Sequence, residues 1–146
     1  MPIINLKIRG NEDPALAKAL AKSISNLTKD ILNKRPEVTV VTVSFIPDHL
    51  WFVNSASLAE LKQKSFHLNI KISDSTNLKD DRAKYIDAIH HSLKSFLGNI
   101  HPVSYTAIEE MKADAYGYEG LTIEYKIINN KIKNDKPNRA LETIGT

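Results

Sequence analysis

Proline at position 2, directly after the initiator methionine, is the residue of this chain with the most unusual chemical potential. Removal of Met1 would leave Pro2 with a free secondary amine, and a free α-amine has a pKa of about 7.7 to 8.0. An apolar pocket beside cations would disfavour the charged amine and lower that pKa. A neutral amine at neutral pH can take a proton from a carbon next to a carbonyl group and return it elsewhere. Pro2 is therefore a candidate general acid and base, provided that Met1 is removed.

The residues that follow Pro2 predict that it lies at the end of a sheet strand. The run 3–9 reads as a strand, and its segment Asn5-Leu6-Lys7-Ile8 recurs as Asn69-Ile70-Lys71-Ile72, at an offset of 69 minus 5, or 64 residues. Each copy is followed by apolar residues at helical spacing and then by a proline and a β-branched run. The chain therefore predicts two tandem βαβ units, at about residues 2–53 and 66–118.

Two amphipathic helices are predicted between these strands. In the first, Asp13 supplies an N-cap before a proline at the first helical position. The second ends at Gly98. The apolar residues of the two helices recur at spacings of about three and four, at Leu16, Leu20, Ile24, Leu27 and Ile31, and at Leu78, Ile86, Ile89, Leu93 and Leu97.

The predicted fold class is α+β, with two tandem βαβ units that form a four-stranded mixed sheet and place two helices on one face. A parallel βαβ crossover is almost always right-handed, so both helices should cover the same face. Several positions on the other face are expected to be apolar, which predicts oligomerisation through the sheet. Alternation at Leu121, Ile123, Tyr125 and Ile127 predicts an added C-terminal strand. We expect one domain over residues 1–128 and a polar tail over 129–146.

Composition excludes several classes of function. The chain has no cysteine, so disulfide and thiolate chemistry are excluded. No stretch approaches the roughly 18 apolar residues that a membrane span needs, and the opening lacks the apolar region of a secretory signal, so we expect a cytoplasmic protein with no membrane partner. The net charge of +3 is scattered, which predicts no nucleic-acid partner. The histidines lack ligand spacing, so we expect no metal and no cofactor.

These features together resemble the tautomerase superfamily, whose hallmark is a catalytic amino-terminal proline on a βαβ unit. The stretches that carry the resemblance are 46–52 (IPDHLWF), 65–72 (SFHLNIKI) and 109–117 (EEMKADAYG). The resemblance extends in patches over about residues 2–118. It implies a proline-based tautomerase or isomerase that acts on a small 2-keto or enol carboxylic acid, and it implies a homotrimer.

The resemblance also implies roles for residues other than Pro2. Tyr105 matches a strand tyrosine that enters a neighbouring subunit's active site and donates a hydrogen bond there; the alternative is an ordinary aromatic strand residue. Trp51 and Tyr116 match aromatic residues that wall the proline pocket, although large aromatic residues are more often plain core. Phe66 stands where the second unit would begin with proline, so only the first unit can offer an amine.

Three cations are candidates for binding the carboxylate of the substrate. Arg9 matches an arginine at the end of the first strand, and a guanidinium can bind a carboxylate through two hydrogen bonds. Lys34 and Arg35 match the place of an active-site lysine. A surface ion pair for Arg9, and interaction with the helix dipole for Lys34 and Arg35, are the alternatives. A second arginine of the family pattern is replaced by Glu12, which argues against hydratase-type dehalogenation.

Three other functions remain open from the sequence. A β-keto acid decarboxylase would need Pro2 protonated rather than neutral, and the pKa that the pocket sets would decide between the two. A catalytically degenerate binding protein of the same fold is favoured by the missing arginine. An RNA-binding sheet is disfavoured, because the chain lacks the strand motif with interleaved aromatic residues that such sheets carry.

Overall fold

A four-stranded mixed sheet with helices packed on one face forms the centre of the protein, and the expected fold class is confirmed. The computed structural model describes the backbone of residues 2–144 and the side chains of residues 2–135. The strands are β1 (Ile3–Arg9), β2 (Val40–Ile46), β3 (Phe52–Val53), β4 (Ala56–Ser57), β5 (Phe66–Ser73), β6 (Tyr105–Met111), β7 (Gly117–Tyr118) and β8 (Leu121–Thr122). The α-helices are α1 (Pro14–Leu32), α2 (Leu58–Leu61), α3 (Lys79–Leu97) and α4 (Ile123–Ile144), and short 3-10 turns cover Pro36–Val38 and Asp48–Leu50.

The order of strands in the large sheet is β2-β1-β5-β6. β1 pairs with β2 in parallel, from Ile3 opposite Val40, and with β5 in antiparallel orientation, from Ile3 opposite Lys71. The start of β6 lies beside the start of β5, because a parallel bridge joins Lys64 to Ile100 and the chain continues from there into both strands. The two βαβ units are therefore joined through their first strands.

The helices form where the sequence predicts them. The Asp13 side chain accepts a hydrogen bond from the backbone N–H of Leu16 at 3.1 Å, and Pro14 opens α1. The buried sides of α1 and α3 pack on the inward side chains of β1 and β5. That core comprises Ile4, Leu6, Ile8, Leu20, Ile24, Leu32, Phe66, Leu68, Ile70, Ile72, Tyr85, Ile89, Leu93 and Leu97.

The sheet face away from the helices combines the apolar positions that the sequence analysis expected, which include Ile3 and Val40, with polar residues. On β1 the outward residues between Ile3 and Arg9 are Asn5 and Lys7, and on β5 they are His67, Asn69 and Lys71. Because successive side chains of a strand point to opposite faces, these polar residues of β1 and β5 lie on the side away from the core. Association through this face would therefore use hydrogen bonds and charges as well as apolar contacts.

The expected C-terminal strand was wrong beyond Thr122, because the chain is helical from Ile123. β7 and β8 form a two-residue hairpin, and α4 begins at Ile123 and continues to Ile144, through most of the expected tail. The Thr122 hydroxyl accepts a hydrogen bond from the Tyr125 backbone N–H at 3.0 Å, which caps the new helix. The apolar residues Leu121, Tyr125, Ile128 and Ile132 also fit the spacing of a helix. The pattern therefore fits both a strand and a helix, and the capping Thr122 favours the helix.

Contacts divide the chain into two compact units, Met1–Glu110 and Met111–Thr146. The first holds the large sheet, α1 and α3, and the second holds the β7–β8 hairpin and α4. Among residues 2–144, no helix is long and apolar enough to cross a membrane.

A buried hydrogen bond between Thr28 of α1 and Tyr85 of α3 joins the two helices. The Thr28 hydroxyl donates to the carbonyl oxygen of Ile24 at 2.7 Å, and its oxygen lies 2.8 Å from the Tyr85 hydroxyl. A threonine hydroxyl has one proton, so the Tyr85 phenol is the donor of the second bond. Burial raises the pKa of Tyr85 to about 12, which keeps the phenol protonated at neutral pH.

This direction of donation predicts unequal effects of two conservative substitutions. Tyr85→Phe should lower the free energy of unfolding by about 1 kcal/mol, because Thr28 keeps its bond to Ile24. Thr28→Val should cost about 2 kcal/mol, because it leaves the buried Tyr85 hydroxyl without an acceptor. Urea denaturation measures both. The double variant should be more stable than Thr28→Val alone, and equal costs for the two single variants would contradict the assignment of the donor.

Candidate active site

Pro2 lies at the end of the sheet where β1 begins and β5 ends, which we call the Pro2 end. Its carbonyl oxygen accepts a hydrogen bond from the backbone N–H of Val40 at 3.2 Å, and the register of β1 with β5 places it beside Ile72. Pro2 is buried. Backbone pairing with Val40 therefore holds Pro2 at the start of β1. Met1 lies outside the described residues.

Lys34 lies at the same end of the sheet. It precedes β2, whose first residue bonds to Pro2, and its ammonium group donates a hydrogen bond to the Thr76 hydroxyl at 2.9 Å. The Thr76 hydroxyl in turn donates to the carbonyl oxygen of Ser73 at the end of β5, at 2.6 Å. Lys34 is half-buried, and this burial lowers its pKa. The Pro2 end thus carries a partly desolvated cation.

Arg35 has a different environment from its neighbour. Its guanidinium forms an ion pair with Glu37 at 3.4 Å, and both side chains are about two-thirds exposed, at 63% and 67%. Exposed pairs of this kind contribute little to stability. The described contacts of Arg35 therefore fit the surface ion pair better than a substrate-binding role, and its place in the site stays a prediction.

Arg9 lies at the opposite end of β1 from Pro2. With a rise of about 3.3 Å per residue, the strand separates the two residues by roughly 23 Å. The Arg9 guanidinium pairs with the Asp48 carboxylate at 3.0 Å, while its buried Nε atom has no hydrogen-bond partner among the described residues. Within one chain, Arg9 cannot bind a substrate that touches Pro2.

Tyr105 also lies at this opposite end, where β1 ends and β5 and β6 begin, and which we call the Tyr105 end. The residue is 65% exposed, and its ring contacts the ring of His67 edge-on, with 6.4 Å between centroids. A pocket of about 390 Å³ opens here. The residues that shape it include Lys7, Trp51, Phe52, Phe66, His67 and Tyr105.

Trp51 and Tyr116 occupy equivalent places in the two units, as expected. Each precedes a two-residue hairpin, and each carbonyl oxygen accepts a hydrogen bond from the residue that follows that hairpin. The bond from Leu58 to Trp51 measures 2.9 Å and the bond from Ile123 to Tyr116 measures 3.0 Å. Trp51 lines the pocket at the Tyr105 end. Tyr116 belongs to the second compact unit, Met111–Thr146.

The structure therefore divides the predicted site residues between two ends of the sheet. Pro2 and Lys34 lie at one end, and Arg9, Trp51 and Tyr105 lie at the other. The sequence analysis missed two pocket residues, Lys7 and His67, which lie opposite one another on β1 and β5. The repeated motif could have revealed them, because antiparallel pairing of its two copies brings Lys7 and His67 together.

Solved structures with the same fold cover most of the chain. A wild-type fused 4-OT, a symmetric trimer, matches with a TM-score of 0.72 at 15% identity, over 84% of this chain and 96% of the other. A macrophage migration inhibitory factor-like protein from Entamoeba histolytica matches with a TM-score of 0.68 at 18% identity, over 83% and 97%. The chain has the tautomerase-superfamily fold.

A third structure of the tautomerase fold is Pt0534 inactivated by 2-oxo-3-pentynoate, with a TM-score of 0.73 at 9% identity, over 84% of this chain and 98% of the other. No family model and no curated protein sequence matches the chain. The likeness to the tautomerase fold therefore rests on structure, and the resemblance inferred from the sequence is confirmed at the level of the fold.

The burial of Lys34 predicts a specific pH dependence of stability. Its lowered pKa means that the folded state releases the proton more readily than the unfolded chain, so the protonated amine opposes folding below the folded-state pKa. This penalty is lost as the pH rises through the folded-state pKa towards 10.5, the ordinary pKa of a lysine side chain. The free energy of unfolding of Lys34→Met relative to wild type should therefore be greater at pH 7 than at pH 10.5.

Urea denaturation at the two pH values measures this difference. Lys29→Met, at an exposed position in the last turn of α1, is the matched control, and its difference from wild type should change less between the two pH values. A relative stability of Lys34→Met that stays constant or rises with pH would show that Lys34 is not desolvated in the folded protein.

Proposed function

We propose that the chain is a proline-based tautomerase that acts on a small 2-keto or enol carboxylic acid, with Pro2 as general acid and base after removal of Met1. The observation that carries this proposal is the place of Pro2, buried at the start of a central strand in the tautomerase fold. The Pt0534 structure supports the substrate class, because the compound that inactivates that protein is named as a 2-oxo acid anion.

The proposed reaction moves one proton and needs no external reactant. The neutral Pro2 amine takes the proton of the enol hydroxyl, and the resulting ammonium gives a proton to the adjacent carbon, so that the enol becomes a ketone. Lys34, at the same end of the sheet, places positive charge where the substrate's carboxylate or developing oxyanion would lie. Its half-buried position makes that charge more effective than one in open solvent.

Tyr105 enters this mechanism only if two copies of the chain share a site. Within one chain, β1 separates the Pro2 end from the Tyr105 end by roughly 23 Å. We propose that the chain forms a homotrimer in which the Tyr105 end of one copy faces the Pro2 end of the next. The symmetric trimer of the fused 4-OT supports this arrangement.

A catalytically degenerate binding protein is the second candidate function, and one observation favours it. Arg9, which the family resemblance assigns to carboxylate binding, is paired with Asp48 and is therefore not free to bind a second carboxylate without losing that pair. In this alternative the tautomerase fold would bind a small acid without proton transfer.

The first test of the proposed reaction concerns the amine of Pro2. Intact-mass measurement should show that Met1 is absent, and the protein should accelerate the ketonisation of phenylenolpyruvate. Pro2→Ala should lower kcat/KM by about a hundredfold or more, since general acid–base catalysis contributes about 10²–10⁴. A form with one residue retained before Pro2 should lose as much activity, because it keeps the ring and blocks the amine.

Two outcomes would count against this reaction. If Pro2→Ala is as active as the parent, the amine does not carry the catalysis. If protein that has lost Met1 gives no rate above buffer with any enol acid tested, while still binding small acids, the chain is the degenerate binding protein.

The second test concerns the shared site. Tyr105→Phe should lower kcat about tenfold or more through loss of a hydrogen-bond donor to the oxyanion. Mixing unfolded Pro2→Ala and Tyr105→Phe chains in equal amounts and refolding them should restore activity, because about one site in four would pair an intact Pro2 with an intact Tyr105. Activity no greater than the mean of the two separately refolded variants would refute the shared site, and light scattering should report a trimer.

A further inference from the structure

The loop of residues 74–78, which joins β5 to α3, lies at the Pro2 end although it belongs to the second βαβ unit. Two of its side chains contact the segment at the end of α1. Thr76 accepts the hydrogen bond from the Lys34 ammonium at 2.9 Å. The Asn77 side-chain amide donates to the carbonyl oxygen of Leu32, the last residue of α1, at 3.0 Å. The second βαβ unit therefore holds the segment from which Lys34 extends.

The Thr76 hydroxyl acts as an acceptor towards Lys34. An ammonium group has three protons and no acceptor, so the bond between them has one possible direction. The single proton of the hydroxyl is donated to the carbonyl oxygen of Ser73 at 2.6 Å, since the distance to the Asn77 side-chain oxygen is much longer, at 3.5 Å. The bond to Ser73 therefore fixes the orientation of the hydroxyl that holds the ammonium.

The Lys34 ammonium has no other partner in the part of the chain whose side chains are described. No carboxylate of that part forms an ion pair with it, and its side chain makes no second hydrogen bond there. A lysine side chain is a flexible four-carbon stem that loses much rotamer freedom when it is fixed. Thr76 therefore supplies the contact that opposes this freedom, and two N–H groups of the ammonium are left for the oxygen of a ligand.

The far end of this hydrogen-bonded chain lies beside the Pro2 amine. The register of β1 with β5 places Ile72 beside Pro2, so Ser73 lies one residue further along the neighbouring strand. The Pro2 nitrogen precedes its own Cα atom and therefore lies on the side of Ser73. Neighbouring strands are about 4.8 Å apart. The hydrogen bonds from Lys34 through Thr76 to Ser73 thus end next to the nitrogen that is proposed to react.

We infer that Thr76 is a positioning residue, which holds the Lys34 ammonium beside the Pro2 amine and so prepares it to bind an oxygen of the substrate. The inference rests on the proposed function in so far as Lys34 is taken to contact the substrate. An ammonium that is held before the substrate binds does not have to be ordered during the reaction. The second βαβ unit, which has no free amine, thereby contributes to the site of the first.

Kinetics with phenylenolpyruvate test this role. Thr76→Val removes the acceptor and keeps the shape of the side chain, and it should lower kcat/KM about three- to tenfold, the range for a single hydrogen bond at an exposed position. Thr76→Ser keeps the hydroxyl and should retain most of the activity of the parent. In a Lys34→Met background, Thr76→Val should have almost no further effect, because the group that it positions is absent.

Thr39→Val is the matched control. It removes a threonine hydroxyl that donates to the carbonyl oxygen of Arg35 at 2.7 Å, in the segment after Lys34, and that makes no contact with the ammonium. It should change kcat/KM by less than about twofold. Circular dichroism verifies that each variant is folded, and Thr76→Ala takes the place of Thr76→Val if the latter does not fold.

A second readout does not depend on the reaction. In protein with carbon-13-labelled lysine, the NMR signal of the Lys34 ε-methylene group is assigned by its absence in Lys34→Met. A side chain that is held in place gives separate shifts for the two ε-protons, whereas a freely rotating one gives a single averaged shift. The two shifts should be separate in the parent, Thr76→Ser and Thr39→Val, and they should merge in Thr76→Val.

The outcomes distinguish this inference from the proposed function. If Thr76→Val keeps full kcat/KM while Pro2→Ala is inactive, the inference is overturned and the reaction stands. Separate ε-proton shifts in Thr76→Val, or an equal loss of activity with and without the Lys34 side chain, would also overturn it, because Thr76 would then act through the fold alone. Shifts that merge in Thr76→Val, in a protein without tautomerase activity, would support the positioning of Lys34 by Thr76 and refute the proposed reaction.

Discussion

The antiparallel register between β1 and β5 is the constraint on which the rest of the structure depends. It joins the two βαβ units through their first strands, with Ile3 opposite Lys71 and Ile8 opposite Phe66. Because one strand begins where the other ends, each end of the sheet combines the beginning of one unit with the end of the other. Pro2 and Arg9 take their positions at opposite ends of the sheet from the strand that this pairing holds. A shift of β1 by one residue would turn Lys7 towards the core and the buried Ile4 and Ile8 towards solvent.

The internal repeat explains why most of the fold could be predicted from the sequence. Apolar spacing and the Asp13-Pro14 cap predict α1 because both signals are local. The polarity of the outer sheet face was harder to assign, since it depends on which alternate residues point away from the helices. The helix after Thr122 was missed because apolar residues from Leu121 onwards satisfy both strand and helix periods. There, one side-chain hydrogen bond from the cap decides the outcome.

The candidate site could be predicted in its residue types but not in its arrangement. Pro2, Arg9 and Tyr105 were grouped because the family resemblance groups them, and a linear sequence carries no distance between them. The structure separates Pro2 from the other two by the length of β1, so a site containing all three needs more than one chain. The ion pair of Arg9 with Asp48 could not be anticipated either, because it joins residues 39 apart in sequence and depends on the turn after β2.

The replacement of proline by Phe66 gives the two ends of the sheet different chemistry. If both units had kept an amino-terminal proline, only the first could be an amine, because the second is inside the chain. Phe66 is instead 1% exposed and joins the core beside the pocket. Its ring supplies apolar volume where an internal proline would supply neither a base nor packing of comparable size. Two tandem βαβ units thus permit a division of roles, in which one end of the sheet holds Pro2 and the other holds a pocket.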